Sequence, residues 1–263
     1  MDRIENIDYC IRYLLEQDHA QAEIPRKLQR KQELLRVLMN IWRPQPLDIA
    51  FLQAQDAELQ AQREDKGVVS LKHIAEPGHS PLAAPAIPLL WQGDITRLKV
   101  DAIVNAANSR GLGCWHPMHA CIDNAIHSAA GLQLRQECNR ILQGETIATG
   151  GAIITPGYNL PAKWVIHTVG PIIGADQPTT GEEELLAGCY RSSLYLAKEH
   201  GCRSIAFCCI ATGEFHFPNR RAAEVAVRTV REFHESSRYP IKVVFNVFKD
   251  IDYDIYRELL AAR

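Results

Sequence analysis

Apolar residues recur at helical spacing from the start of the chain. Ile4, Ile7, Ile11, Leu14 and Leu15 fall on one stripe. After Pro25, Leu28, Leu34, Leu35, Leu38, Ile41 and Trp42 mark a second amphipathic helix, which Pro44 ends. A third, weaker helix runs from Asp48, read as its N-cap, to about Arg63. No glycine precedes Gly67. Residues 76–88 (EPGHSPLAAPAIP) are rich in proline and read as a connection. This pattern predicts a helical extension over 1–75 and a second unit over 76–263.

From Ile87 the pattern changes. Short β-rich runs at 87–91, 101–105, 147–155, 163–169, 203–210 and 241–248 alternate with helical stretches. The helices are expected at 119–130, 132–143, 182–200, 219–235 and 252–262, with glycine stops at Gly131 and Gly201. Continuous apolar strands separated by helices predict an α/β fold with a largely parallel sheet covered on both faces.

Composition narrows the function classes. The chain has 263 residues, 46% of them hydrophobic, enough for a sizeable core. A net charge of −2 argues against a globally basic nucleic-acid binder. No apolar run approaches the ~18 residues of a membrane span, and the first residues lack a secretory apolar stretch. A cytoplasmic protein that engages neither nucleic acid nor membrane is expected. The eight cysteines then read as thiols rather than a disulfide framework, with Cys208 and Cys209 inside a strand.

In such a sheet, ligands bind beyond the carboxyl ends of the strands. Gln92-Gly93-Asp94-Ile95-Thr96 follows the first strand, and Ala106-Ala107-Asn108 with Gly111 and Gly113 follows the second. Ala211-Thr212-Gly213-Glu214-Phe215 follows the fifth. Glycine lets backbone N–H groups approach a phosphate, so the loops point to a nucleotide-like ligand, although such loops are also common turns. Neither a Walker A motif nor G-x-G-x-x-G occurs, which counts against an ordinary ATPase or dinucleotide oxidoreductase.

The segment 113–124 carries the sharpest chemistry. Cys114, His119 and Cys121 form C-x4-H-x-C, donors of the kind zinc prefers, with His116 as a substitute. Three ligands leave a tetrahedral ion one open position, the mark of a catalytic site. His119 and Cys121 cannot share a face of a regular helix, so they belong to the irregular start of the helix containing Ile122 and Asp123. Chance clustering and a structural zinc knot remain open on spacing alone. His127 reads as a hydrogen-bonded helix residue and His167 as a satisfied core histidine. Asp94 and Asp123, each a lone Asp beside a helix start, read first as helix caps.

Several motifs together resemble the macrodomain, an ADP-ribose-binding module. They are Gly93-Asp94-Ile95-Thr96, residues 101–108 (DAIVNAAN), residues 126–131 (IHSAAG), Thr155-Pro156-Gly157-Tyr158, residues 165–171 (VIHTVGP), and Thr212-Gly213 before Phe215. The resemblance covers roughly two thirds of the chain, from about residue 87 onward. It implies a three-layer α/β/α fold with a mixed, largely parallel sheet. Where ordinary macrodomain hydrolases carry a glycine run, this chain has Cys114-x4-His119-x-Cys121. That departure is similar to the zinc-containing microbial class, whose members carry N-terminal helices and resemble protein-ADP-ribose hydrolases. By this resemblance Zn2+ is the cofactor, and mono-ADP-ribosylated protein, with Asp or Glu linkage, is the substrate. A lipoylated carrier protein and a sirtuin-like ADP-ribosyltransferase are implied partners. Asp94 would accept from the adenine amino group, with Ile95 beside it. Asn105, Ala106 and Asn108 would lie near the distal ribose, with Ile122 and Asp123 opposite. Residues 211–215 would wrap the pyrophosphate and Phe215 would flank the ribose. Asp123 and Asn105 are the catalytic candidates. Glu214 departs from a commonly apolar position, so its carboxylate must turn from the phosphates, toward the metal or away. A non-catalytic ADP-ribose reader and an O-acetyl-ADP-ribose deacetylase are the rival functions.

Overall fold

A computed structural model describes residues 2–74, 86–174 and 177–261. Three helices open the chain: α1 (Arg3–Gln17), α2 (Leu28–Ile41) and α3 (Ile49–Lys66). Asp2 and Glu5 form a capping box on α1. Asp48 occupies the N-cap position of α3 without a side-chain cap bond, and Gly67, at φ +74°, ends that helix. Ile7, Ile11, Leu14, Leu35, Leu38, Trp42 and Phe51 form a small core of their own, which Leu132 joins. Ile4 and Ile41, counted in the apolar stripes, are exposed at the ends of their helices. Two short pieces follow that periodicity does not signal, β1 (Val69–Ser70) and α4 (Leu71–Ile74). Most of the proline-rich connection, residues 75–85, lies outside the described residues.

The second unit begins with β2 (Leu89–Gln92), a 3-10 turn (Ile95–Arg97) and β3 (Leu98–Lys99), which pairs with β1. Then come β4 (Ala102–Ala106), α5 (Ile122–Ala130), α6 (Leu132–Leu142), β5 (Ala152–Pro156) and β6 (Trp164–Thr168). The chain finishes with α7 (Thr180–Glu199), β7 (Ser204–Phe207), α8 (Asn219–Ser237), β8 (Lys242–Val247) and α9 (Asp250–Ala261). Six strands form one sheet in the order β2-β8-β7-β4-β6-β5. Every neighbouring pair is parallel except β5 with β6. Strands β7 and β8 are buried throughout, which explains their continuous apolar runs. Helices α7, α8 and α9 pack with one another, α5 packs on β4 and α6 on β5, and α2 and α3 stack on α5. The result is a mixed, largely parallel α/β sheet with the N-terminal helices stacked beside it.

Three elements are shorter than the pattern predicts by three residues or more. The run at 203–210 is strand only over Ser204–Phe207, so Cys208 and Cys209 lie beyond its end, in the turn toward the next loop, rather than inside it. The run at 147–155 becomes strand only from Ala152. Gly150, at φ +84°, turns the chain there, and Thr149 makes only an isolated bridge to Val169. The helix expected from 119 begins at Ile122. Met118 adopts φ +57°, and Cys121 holds an extended N-cap conformation with its Sγ accepting from the Asn124 amide.

Candidate active site

The carboxyl ends of β2, β4 and β7 open onto one cleft of about 1160 Å³. It is lined by Asp94, Ile95, Ala106, Asn108, Ile122, Asp123, the 211–215 loop and Cys114, His119 and Cys121. The strand-end loops and the Cys/His segment therefore converge, although they lie up to about 120 positions apart in sequence. Asn105 alone among the anticipated residues is outside the lining. It is fully buried behind Asp123.

Asp123 sits in the first turn of α5 and is almost fully buried. Asn105 Nδ2 donates to its Oδ1 at 2.7 Å, and Asn108 Nδ2 donates to its Oδ2 at 3.3 Å. Two amides from the end of β4 thus fix the carboxylate plane. Burial raises its pKa to about 6, against the Asn105 hydrogen bond and the positive charge of Arg135. Such a carboxylate is more basic than a solvated one.

Cys114 Sγ lies 3.5 Å from His119 Nδ1, and the ligand atoms of Cys114, His119 and Cys121 all fall within 4.8 Å of one another. Burial, with the neighbouring Cys114 adding to it, pushes the Cys121 thiol up to about 12. Two sulfurs and an imidazole this close suit a cation held between them. The Cys2His donor set, half-buried and facing a cleft, fits zinc with an open position. His116 serves differently from the substitute role its position suggested: its backbone carbonyl accepts from Asn124 and from the His119 amide. Glu214 turns toward this cluster, with Oε1 3.7 Å from His119 Nε2, so its carboxylate faces the imidazole rather than the loop amides.

A second group of soft donors, His127, Cys138 and His167, lies beneath the first and is wholly buried. Asn105 Nδ2 also meets His167 Nδ1 at 3.1 Å, and His167 Nε2 meets Thr155 Oγ1 at 3.0 Å. His167 is thus a satisfied core histidine. His127 is not hydrogen-bonded as its helical position suggested. Neither ring nitrogen finds a hydrogen-bond partner among the described residues, and Nε2 lies 3.5 Å from Asp123 Oδ1. Burial holds it neutral, with its pKa well below the ordinary value. Gly113 crosses directly over this ring. A Cβ there would meet His127 at 2.8 Å, and the φ of +81° also favours glycine.

The loop after β7 is built for an anion. Ala211 adopts φ +65°, and Thr212 Oγ1 donates to Cys209 O. The amides of Gly213, Glu214 and Phe215 donate to no other group of the described residues. The amides of Ile122 and Asp123, at the N-terminus of α5, are also without an acceptor among them. Both sets line the cleft and together offer an anion cradle. Asp94 Oδ1 accepts from the Thr96 amide and hydroxyl, so it is a cap, and its Oδ2 lies 3.5 Å from Lys66 Nζ at the end of α3.

The N-terminal helices contribute what sequence reasoning missed. Asn40 of α2 accepts from the Met118 amide and from Asn124 Nδ2, both at 3.0 Å. Arg36 Nε and Nη2 donate to Asn124 Oδ1. Buried Arg135 donates to Met39 O and Trp42 O and lies 4.7 Å from the Trp115 ring centroid. These contacts clamp both sides of the Cys/His segment. One signal was available: Asn40 is a polar residue inside the apolar stripe of α2.

Comparison with known proteins bears on the fold and the family. Residues 104–226 match the family model described as Macro domain. Over 99% of its length the chain is 46% identical to a protein-ADP-ribose hydrolase of Treponema medium, of which it covers 100%. It is 43% identical to a Staphylococcus aureus protein-ADP-ribose hydrolase, covering 98% of this chain and 97% of that one. Among solved structures, the Trypanosoma brucei macrodomain in complex with ADP-ribose is 30% identical with a TM-score of 0.64, over 86% of this chain and 94% of that one. The Oceanobacillus iheyensis macrodomain with ADP is 40% identical with a TM-score of 0.59, over 66% of this chain and 91% of that one.

Proposed function

We propose that this chain, which belongs to the Macro domain family of protein-ADP-ribose hydrolases, removes mono-ADP-ribose from modified proteins at the cleft between its sheet and its N-terminal helices. The observation that carries this reading is Asp123, held by Asn105 and Asn108 beside three metal-type donors at one end of the cleft.

The adenine lies toward Asp94, whose carboxylate accepts from the exocyclic amine. The diphosphate rests on the amides of residues 213–215 and of Ile122 and Asp123. Phe215 flanks the distal ribose. Cys114, His119 and Cys121 would hold Zn2+, which when bound supplies a Lewis acid beside the distal ribose. Asp123 orients a water against C1″ and takes its proton on a carboxylate oxygen. Asn105 and Asn108 keep that carboxylate in one plane through the step. The new C1″–O bond forms as the bond from C1″ to the target's carboxylate oxygen breaks, and its electron pair leaves with the Asp or Glu carboxylate. This is glycosidase-type chemistry, and an acyl linkage suits it because the leaving group is a stabilised carboxylate.

The test combines metal analysis of the purified protein with release of ADP-ribose from a mono-ADP-ribosylated substrate. An Asp/Glu-linked protein and a modified lipoylated carrier protein are the two substrates to compare. Stoichiometric zinc and release of free ADP-ribose are expected. Tight ADP-ribose binding without release would favour a reader, and faster turnover of O-acetyl-ADP-ribose would favour a deacetylase.

A further inference from the structure

We propose that Arg36, on the second N-terminal helix, is a diphosphate-binding residue of the cleft, so that the helical extension supplies the charge that reads the ligand's phosphates. This rests on the proposed ADP-ribose reading of the site.

Three observations carry it. Arg36 lines the cleft and is half-buried, and burial lowers its pKa. Its Nε and Nη2 both donate to a single acceptor, Asn124 Oδ1, at 3.1 and 2.7 Å. That anchor fixes the guanidinium plane while leaving Nη1 uncommitted among the described residues. No carboxylate of the described residues pairs with it. The cleft acids nearest in sequence are engaged elsewhere, Glu33 with Arg30 at 2.6 Å and Asp94 with Lys66 at 3.5 Å. A cation half out of water without a counter-ion calls for an anion.

The position says which anion. Arg36 lines the same cleft as Cys121 and Asp94. Cys121 marks the end of the cleft where chemistry occurs, and Asp94 the end where adenine binds. A ligand stretched between them passes Arg36 with its middle, which in ADP-ribose is the diphosphate. Asn124, the anchor, lies in the first turn of α5, whose free amides of Ile122 and Asp123 form half of the anion cradle. Arg36 therefore faces the same space as those amides. A planar guanidinium with a free edge suits a phosphate oxygen pair. The amides of residues 213–215 and of Ile122 and Asp123 carry no formal charge, so Arg36 adds a charge-assisted bond to that cradle.

The test uses the zinc-loaded full chain, with calorimetry of ADP-ribose and of adenosine, which lacks phosphate. Arg36→Gln is expected to weaken ADP-ribose roughly 10–100-fold, leave adenosine affinity and zinc content unchanged, and flatten the salt dependence of ADP-ribose binding. Arg36→Lys, which keeps the charge and folds if Arg36→Gln does not, should recover most of the affinity. ADP-ribose affinity within about twofold of the parent in Arg36→Gln overturns the inference. So does an equal loss for adenosine, which would make Arg36 only a strut for Asn124. If the unmodified chain binds no ADP-ribose, the reading of the site fails first. If it binds and Arg36→Gln binds as well, this inference fails alone.

Discussion

Two groups of cysteine and histidine lie a few ångströms from Asp123, and their donors are alike. Cys114, His119 and Cys121 stand half-exposed at the cleft, on the irregular segment that ends at the N-cap of α5 and is clamped by α2. Cys138 and His167 stand on α6 and β6, His127 on α5, all buried. In the deeper group, His167 uses both ring nitrogens on protein partners, and burial pushes Cys138 up to about 12 and His167 down to about 3. Desolvation there favours neutral, protonated thiol and neutral imidazole, a packing state. The outer group faces the cleft, so a metal has a way in, and its binding would displace the proton that burial otherwise holds on the Cys121 thiol. The outer group has two sulfurs and one imidazole, the inner one sulfur and two imidazoles, and access to the cleft is the further difference.

Breaking the outer group should have the largest effect. Cys114→Ala is expected to abolish stoichiometric zinc and nearly all ADP-ribose release, read by metal analysis beside a product assay. Full turnover without zinc would end the metal reading. Asp123→Ala comes next, with kcat down by roughly 10²–10⁴ and ligand affinity little changed. Equal losses in both would make Asp123 a binding group only. Asn40→Ala removes the acceptor that holds Met118 and Asn124, and should weaken zinc about 10–100-fold in a chelator competition. Unchanged zinc affinity would show that the N-terminal helices do not hold the loop.

The inner group should behave oppositely. Thr155→Val leaves His167 Nε2 with only the Cys138 sulfur, at 3.6 Å, and should cost about 1 kcal/mol in thermal unfolding, with zinc stoichiometry intact. Loss of zinc in that variant would erase the contrast. The smallest change belongs to Glu214→Gln. Its carboxylate is 71% exposed and 3.7 Å from His119, so turnover should shift by about twofold or less.

Much of this was legible beforehand. Strand positions and helix stops followed from apolar runs and from Gly131 and Gly201, because burial on both sheet faces leaves a continuous pattern. The element limits differ from the pattern at 147, 119 and 210, where Gly150, Met118 and Ala211 take left-handed turns that hydrophobic period does not record. The role of the first three helices was not legible. Their stripes predict that they pack, and they do, around Ile11, Leu35, Trp42 and Phe51. Nothing in spacing shows that Asn40 and Arg36 reach a loop some 80 positions away.

The sequence by itself determined which residues are chemically able to act: a soft-donor triplet, strand-end glycine loops and an acid beside a helix start. Those are properties of residue type and short spacing. Only the tertiary structure decided which donors meet water, which face of Asp123 is held by Asn105 and Asn108, and that α2 closes the cleft. Such outcomes depend on burial and on contacts between distant segments, and neither exists until the chain has packed.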